Sequence, residues 1–434
     1  MNANTNPTPL RRTKIICTIG PATSSAKTLK LLMEAGMDAC RLNLSHGSHQ
    51  EHAGYIKTVR QVAGEVGKPV AIICDLPGPK VRTGGLVHKH ITLAEGDTFT
   101  LTADDIEGDK HRVHVSLPSL PKDLSPGNTV FLDDGAIRLQ VISISGNDVV
   151  CRVVVGGLLG EEKGVNVPDV SLSVPSVTEA DMNHLAFALE QGVDIVALSF
   201  IRQASDVTRV REFIAQRHTM VPIITKIEKH EALGNIDDII IASDGIMVAR
   251  GDLGVEIPLE KVPVAQKYIV LKCKRQGKPV IVATQMLESM MTSKRPTRAE
   301  VADIANAVFD GADALMLSGE TSIGKNPVDA VKMMALVAGE TEKALPYEQF
   351  LWEARRNLEP TTEDAISYNA CSTAEQVGAS VIIAFTRSGS TALRVAKYRP
   401  RMPILALTSS PEVQRQLAIS WGVSAHLVPD MQCI

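Results

Sequence analysis

Eight short runs rich in Val, Ile, Leu and Ala, each ending on polar residues, leave few folds open to this chain. They are IICTIG (15–20), ACRLNLS (39–45), VAIICDL (70–76), VDIVALSF (193–200), VPIITKIE (221–228), GIMVARGD (245–252), PVIVATQM (279–286) and ADALMLSG (312–319). Near-continuous apolar runs of this length fit parallel strands buried on both faces. Between them lie stretches with helical spacing, at 28–37, 178–192, 259–277 and 327–344. Several stop at a glycine just before the next run, as helices do. The alternation predicts an α/β fold, a (β/α)8 TIM barrel, with a doubly wound sheet as the other arrangement. In such a barrel the chemistry belongs at the C-terminal strand ends. Those ends carry Asn43 and Ser45, Asp75, Ser199, Lys226 and Glu228, Arg250 and Asp252, Thr284, and Ser318. Ordinary strand-to-loop polarity would explain any one of them. Their spread over several strands predicts a single convergent site.

The alternation breaks once, between Leu76 and Val193. The segments HITLAEGDTFTLT (90–102), HRVHVSL (111–117), GNTVFLDDG (127–135) and 137–157 alternate apolar with polar residues between turn formers. That pattern predicts a small antiparallel β-barrel domain over 85–172, inserted between barrel portions at 1–84 and 173–345. Placed at the active face, it would serve as a lid that excludes water. From 357 to 434 the chain reads as a further α/β domain of regulatory type.

Composition narrows the function. Aromatics make up only 3% of the chain, so its cores must be built mainly from Ala, Val, Ile, Leu and Met. Lys and Arg total 45 against 49 Asp and Glu, a balance with no bulk attraction to nucleic acid or anionic membrane. No apolar run reaches the roughly 18 residues of a spanning helix. The opening MNANTNPTPLRRTK lacks a signal-peptide core and reads as a short disordered lead-in. Seven cysteines without a C-x-x-C pair read as buried thiols in a reducing cytoplasm.

Several motifs carry chemistry. In TKIE (225–228), Lys226 and Glu228 lie two apart on a strand and so share a face. A buried ion pair is costly and usually has a purpose. Asp252, in ARGDLG, follows the next strand; with Glu228 it could hold Mg2+, which takes few carboxylates plus waters and substrate oxygens. A plain turn aspartate has the same spacing. Arg41 and Arg82 suit phosphate through planar paired hydrogen bonds, although each alone also fits a surface arginine. SHGSHQEH (45–52) spaces three histidines by three, which fits a loop entering an ordinary helix better than a metal site. TRSGST (386–391), between a strand and a helix, is a plausible anion nest, although Ser and Thr also simply cap helices.

The motifs TKIICTIGPAT (13–23), RLNLSHG (41–47), TKIEKHEAL (225–233), IMVARGDLGVEI (246–257), ATQMLESM (283–290) and MLSGET (316–321) stand in the order found in pyruvate kinases, which the chain closely resembles over nearly its whole length. The resemblance implies phosphoryl transfer from phosphoenolpyruvate to ADP. It implies that Lys226 stabilises the phosphoryl group and that Glu228 and Asp252 ligate Mg2+. Gly251 and Thr284 would contact substrate, with Thr284 in the relay that protonates the enolate. Arg41 and Arg82 would hold phosphate groups. Asn43, His46 and Lys163 would meet the nucleotide, with Ser318 and Glu320 in support. Thr386, Arg387, Ser388 and Ser390 match the family's effector phosphate site. The resemblance also implies a homo-oligomer, normally a tetramer.

Two departures stand out. Many members bind K+ through positions matching Asn43, Ser45, Asp75 and the carbonyl of Leu76, with a glutamate after the Gly-Pro. Here Lys80 occupies that place, and Leu76 and Pro77 replace the usual Thr-Lys. The expectation is an enzyme that does not require K+. The chain also reaches DMQCI (430–434) before a further helix and two strands that the family normally has, so the tail domain is expected to be short and sugar-bisphosphate activation doubtful. Two other functions fit parts of this pattern: a non-catalytic phospho-metabolite-binding protein, and a barrel lyase using Mg2+ and pyruvate enolate.

Overall fold

Eight parallel strands close on themselves: Lys14–Thr18, Ala39–Asn43, Ala71–Leu76, Ile195–Leu198, Ile223–Ile227, Gly245–Ala249, Val280–Ala283 and Ala314–Leu317. The ring is sealed by register between the first and the last, with Ile16 opposite Met316. The computed structural model describes residues 11–168, 170–356 and 358–430. Of the lead-in expected over 1–14, residues 1–10 lie outside the described residues, as does most of DMQCI, whereas Arg11 pairs with Asp38 and Lys14 opens the first strand, so these are ordered.

Alternation along the strands builds two cores. Ile16, Ala39, Ile73, Ala197, Ile224, Met247, Ile281 and Ala314 fill the barrel, isoleucine alternating with alanine or methionine around the ring. Cys17, Cys40, Cys74, Val196 and Val248 point outward beneath the helices. The six cysteines among the described residues are buried and free, as their apolar settings predicted. Helix stops follow the expected chemistry: the backbone N–H of Gly36 (φ 125°) bonds back to Leu32 and Met33 after helix Ala26–Ala35.

Most of the runs reach a residue or more past the strand they mark, and at two strands the overrun bears on the site. The sixth ends at Ala249, and Arg250–Glu256 is a short helix, so Arg250 and Asp252 sit in a helical first turn instead of on a strand. The seventh ends at Ala283, and Thr284 and Gln285 take left-handed conformations (φ 69° and 54°). In both places the run as read from sequence takes in polar residues past the last ladder bond, and periodicity alone does not register where the ladder stops.

Between the third and fourth barrel strands lie a six-stranded sheet and a two-stranded ribbon, His90–Leu93 with Gly157–Gly160. Phe99, Leu101, Leu139 and Val153 from the sheet share one core with Ile91, Leu93 and Leu159 from the ribbon. The sheet departs from the antiparallel expectation once: Thr98–Thr102 pairs with Arg112–His114 in parallel, because the chain between them crosses over instead of turning back. The last unit has three parallel strands, Ile382–Phe385, Ile404–Thr408 and Val423–Leu427, packed with helices Thr362–Gln376 and Ser390–Lys397. A single turn, Leu417–Ile419, puts the buried Ile419 among the barrel-filling residues.

Candidate active site

The C-terminal end of the fifth barrel strand carries Lys226, and polar atoms from its own strand end and from the third and fourth strand ends surround it. Its Nζ lies 2.8 Å from Glu228 Oε1 and 3.3 Å from Asp75 Oδ2, and donates to Ser199 Oγ at 2.8 Å. Ser199 Oγ in turn donates to the carbonyl of Leu76 at 2.7 Å. Asp75 is also gripped by Arg41, with Nε at 2.7 Å and Nη2 at 2.6 Å from Oδ2. All of Lys226, Glu228, Asp75 and Ser199 are buried. Barrel closure forces this convergence. Asn43 pairs in register with Asp75, and Ala197 pairs with Asp75 on the other side.

Burial disfavours every charge here, and the outcome depends on the neighbours. Against burial, Asp75 and Glu228 hold the Lys226 ammonium above its ordinary value. Lys226 and Arg41 overcome burial at Asp75 and hold its carboxyl low. At Glu228 burial wins, Asp252 adds to it, and the carboxyl is raised. Two carboxylates that repel one another beside an open face suit a cation. Glu228 Oε2 accepts from the Phe200 N–H at 2.8 Å, whereas its buried Oε1 receives no well-formed hydrogen bond. An all-oxygen carboxylate pair, with the buried Glu228 Oε1 meeting only the Lys226 ammonium at 2.8 Å, fits a magnesium ion, which keeps several waters. Among the described residues no cluster of three or more His, Cys, Asp or Glu forms a metal site, and His46, His49 and His52 are no exception. His49 and His52 lie in the ordinary helix His49–Val66, capped by Ser48.

Thr284 sits beside this group in strained backbone. A β-branched residue at φ 69° is a conformational outlier. It is held there by Arg250, whose Nη2 donates to the Thr284 carbonyl at 2.8 Å and whose Nη1 meets Asp303 at 2.7 Å. Thr284 Oγ1 accepts from the Gly251 N–H at 2.7 Å. Ser318 lies at the eighth strand end, where its N–H donates to Glu320 Oε2 at 2.7 Å and its buried hydroxyl has no partner.

Two families of sequence match the chain in order. The model described as pyruvate kinase, barrel domain, covers residues 10–331, and that described as pyruvate kinase, alpha/beta domain, covers 364–433. A pyruvate kinase of Clostridium acetobutylicum is 47% identical over 416 residues, 95% of this chain and 88% of the relative. One from Geobacillus stearothermophilus is 46% identical over 96% of this chain and 72% of the relative. A crystal structure of a pyruvate kinase from Cryptosporidium parvum superposes with a TM-score of 0.92 at 41% identity, covering 96% of this chain and 87% of that one. The chain belongs to the pyruvate kinase family.

Pyruvate kinases are phosphotransferases, and the fold agrees with that membership in its closed eight-stranded barrel and its C-terminal α/β unit. The alternative of a non-catalytic binding protein is not favoured. Of the residues read from sequence, Arg41, Asp75, Lys226 and Glu228 come together directly, and Gly251 joins Thr284. Lys80 Nζ lies 3.8 Å from Asp252 and 3.9 Å from Asp134 of the insert. Others stand apart. Arg82 bonds to the Glu162 carbonyl within the insert, and Lys163 pairs with Asp133 at 3.0 Å. Asn43 Oδ1 accepts from the Ser45 N–H at 3.2 Å, and Ser45 and His46 are exposed. In the last unit, Ser388 Oγ donates to Ser390 Oγ at 3.1 Å, Arg387 is exposed, and the buried Thr386 hydroxyl is unpartnered. Sequence reasoning placed Ser199 at a strand end without seeing it as the contact between Lys226 and Leu76, and passed over Phe200, Asp133 and Asp134. The signal for Phe200 was present, since it follows directly on Ser199 at the end of the fourth run.

Proposed function

We propose that this chain transfers the phosphoryl group of phosphoenolpyruvate to ADP at the barrel mouth, giving pyruvate and ATP. The observation that carries this reading is the buried Lys226 ammonium, held by Asp75, Glu228 and Ser199 at a strand end. A fixed positive charge in a water-poor site stabilises charge developing on a phosphoryl group in flight. Its raised pKa keeps the ammonium protonated across the neutral range. The P–O bond to the enol oxygen breaks as a bond to an ADP β-phosphate oxygen forms. The enolate left behind takes a proton at its methylene carbon, and Thr284 is positioned for the relay that delivers it. Glu228 and Asp252 would hold a magnesium ion, which would supply neutralising positive charge at the reacting phosphate. Arg41 orients the phosphate, while Gly251 lets substrate approach the backbone. Asn43, His46, Arg82 and Lys163 receive the nucleotide, and the inserted domain serves as a lid.

Potassium is the finer question. Asp75, at the position that serves K+ in many relatives, already faces two cations, Arg41 and Lys226. Lys80 brings a further ammonium to the same mouth. On this reading the enzyme works without K+. The TRSGST loop, with its unpartnered Thr386 hydroxyl, is the candidate effector phosphate site, and a tetramer in the cytoplasm is the expected working form. Among the described residues no helix is long and apolar enough to cross a membrane.

A coupled assay of pyruvate formation, with and without ADP and in potassium-free buffer, tests both claims. ADP-dependent turnover is expected in both buffers. Pyruvate formation without ADP would mean that the phosphoryl group passes to water and would overturn the transfer to ADP, and many-fold activation on adding K+ would overturn the potassium claim alone.

A further inference from the structure

A second concavity lies where the barrel meets the C-terminal unit. It encloses about 520 Å3 of space free of atoms, the solvent at its open side included. Its walls are the end of helix Val262–Arg275, helix Tyr347–Arg355, and the residues that close helix Ser390–Lys397. Its charge is one-sided, because Lys274, Arg275, Lys397 and Arg399 face a single acid, Glu353. Lys397 and Arg399 are committed to Asp364 and Asp313, each at 2.7 Å. Lys274 instead lies over the Phe350 ring, 4.8 Å from its centroid. Burial, then Arg399, pushes its ammonium down to about 8.

Arg399 adds an independent sign. Its side chain is buried and its Nε has no hydrogen-bond partner. Nearly all buried donors in folded proteins are satisfied, so a leftover donor in a basic cavity wall calls for an acceptor. Leu271, Phe350 and Tyr398 complete the wall with apolar and aromatic surface.

We propose that this cavity binds a small organic anion, a phosphate monoester or carboxylate with an apolar body, its oxygens meeting Lys274 and Arg399 and its body lying on Phe350 and Leu271. The site is separate from the TRSGST loop. The two sit at opposite ends of an eight-residue helix, about 12 Å apart along its axis. It is also tied to the chemistry through the fold, since helix Val262–Arg275 lies in sequence between the turn carrying Asp252 and the strand leading to Thr284.

The two tryptophans of the chain make the test direct. Trp352 lies on the wall helix, and the Trp421 ring sits 5.2 Å from the Arg399 guanidinium. The full chain is titrated with phenyl phosphate, benzoate and inorganic phosphate, following intrinsic fluorescence and heat of binding, with saturating phosphoenolpyruvate present. Saturable binding of one phenyl phosphate or benzoate per chain is expected, at least tenfold tighter than inorganic phosphate. The tighter of the two probes tells whether the headgroup is phosphate or carboxylate. Lys274→Met, which keeps the packing volume, should weaken binding at least tenfold, while the double variant Ser388→Ala/Ser390→Ala should leave it unchanged. Unaltered affinity in Lys274→Met, loss in the double variant, or no saturation by either probe would overturn the proposal. Each readout is binding, so the result stands apart from whether the barrel mouth catalyses phosphoryl transfer.

Discussion

At the residue scale, the site works by setting charges against one another where water is scarce. Lys226→Met removes the one cation among the described residues that touches both Asp75 and Glu228. It should lower phosphoryl transfer by about 10²–10³-fold, the usual loss for one preorganised charge. Proton exchange at the methyl of pyruvate, measured by solvent deuterium uptake, should fall much less. Equal loss of both would contradict the assigned role. The opposite end of the barrel offers a purely structural case. Burial alone would push the Asp38 carboxyl up, but Arg11 at 2.6 Å and Lys68 at 3.1 Å overcome it and hold it well below the usual range. A depressed carboxyl contributes stability that is present above its unfolded value of about 3.9 and fades as pH falls below that. Asp38→Asn should therefore cost about 3 kcal/mol at neutral pH, with the gap to wild type narrowing toward pH 2 in denaturant melts.

At the scale of elements, the loops leaving the strands place the atoms that strands alone would misplace. Gly78 follows the third barrel strand at φ 67°, where an added Cβ would lie 2.7 Å from Phe200 Cδ2. Phe200 is itself left-handed (φ 55°) and spends its N–H on Glu228. Gly78→Ala should then cost about 1–3 kcal/mol in strain and clash and displace the Glu228 carboxylate, lowering kcat as well as the denaturation midpoint. Gly67→Ala is the control. Gly67 has a similar φ of 70° with nothing near its Cβ, so only a small stability loss and unchanged kcat are expected. Arg202 does comparable work on the chain returning from the insert, donating to the carbonyls of Leu172 and Val174 at 2.7 Å each.

At the scale of the whole molecule, the C-terminal unit is fastened to the floor of the barrel. Ile419 reaches the barrel-filling core, and Asp313, just before the eighth strand, accepts from Arg399 at 2.7 Å and from the Trp421 N–H at 3.1 Å. Asp313→Asn would leave Arg399 buried with its charge uncompensated, at a cost of about 3–5 kcal/mol. Calorimetry should show the C-terminal unit melting in a separate, earlier transition. A single transition merely shifted downward would mean that the units remain one cooperative block. At the other end, Glu256 joins the insert to the barrel, with Lys229 at 2.8 Å and Asn166 at 3.3 Å. The same molecule is thus bolted at its base, and polar contacts through Glu256 join the insert to the barrel at its mouth.

The sequence by itself determined the barrel, the place of the insert and the candidate residues at the strand ends. Hydrophobic periodicity is local, and a strand buried on both faces writes itself into five or six consecutive side chains. Lys226 and Glu228 were legible together because they are two apart on one strand. Their company was not. Asp75 and Ser199 reach Lys226 only because the ring closes with Asp75 and Ala197 in register, a relation between segments more than a hundred residues apart. Nor does periodicity report where a ladder stops, so the helical turn under Asp252, the left-handed Thr284 and the parallel pair in the insert were decided by tertiary structure. The position of Lys80 belongs with these. Its identity stands in the sequence, but a loop folded over the mouth brought its ammonium within 3.8 Å of Asp252.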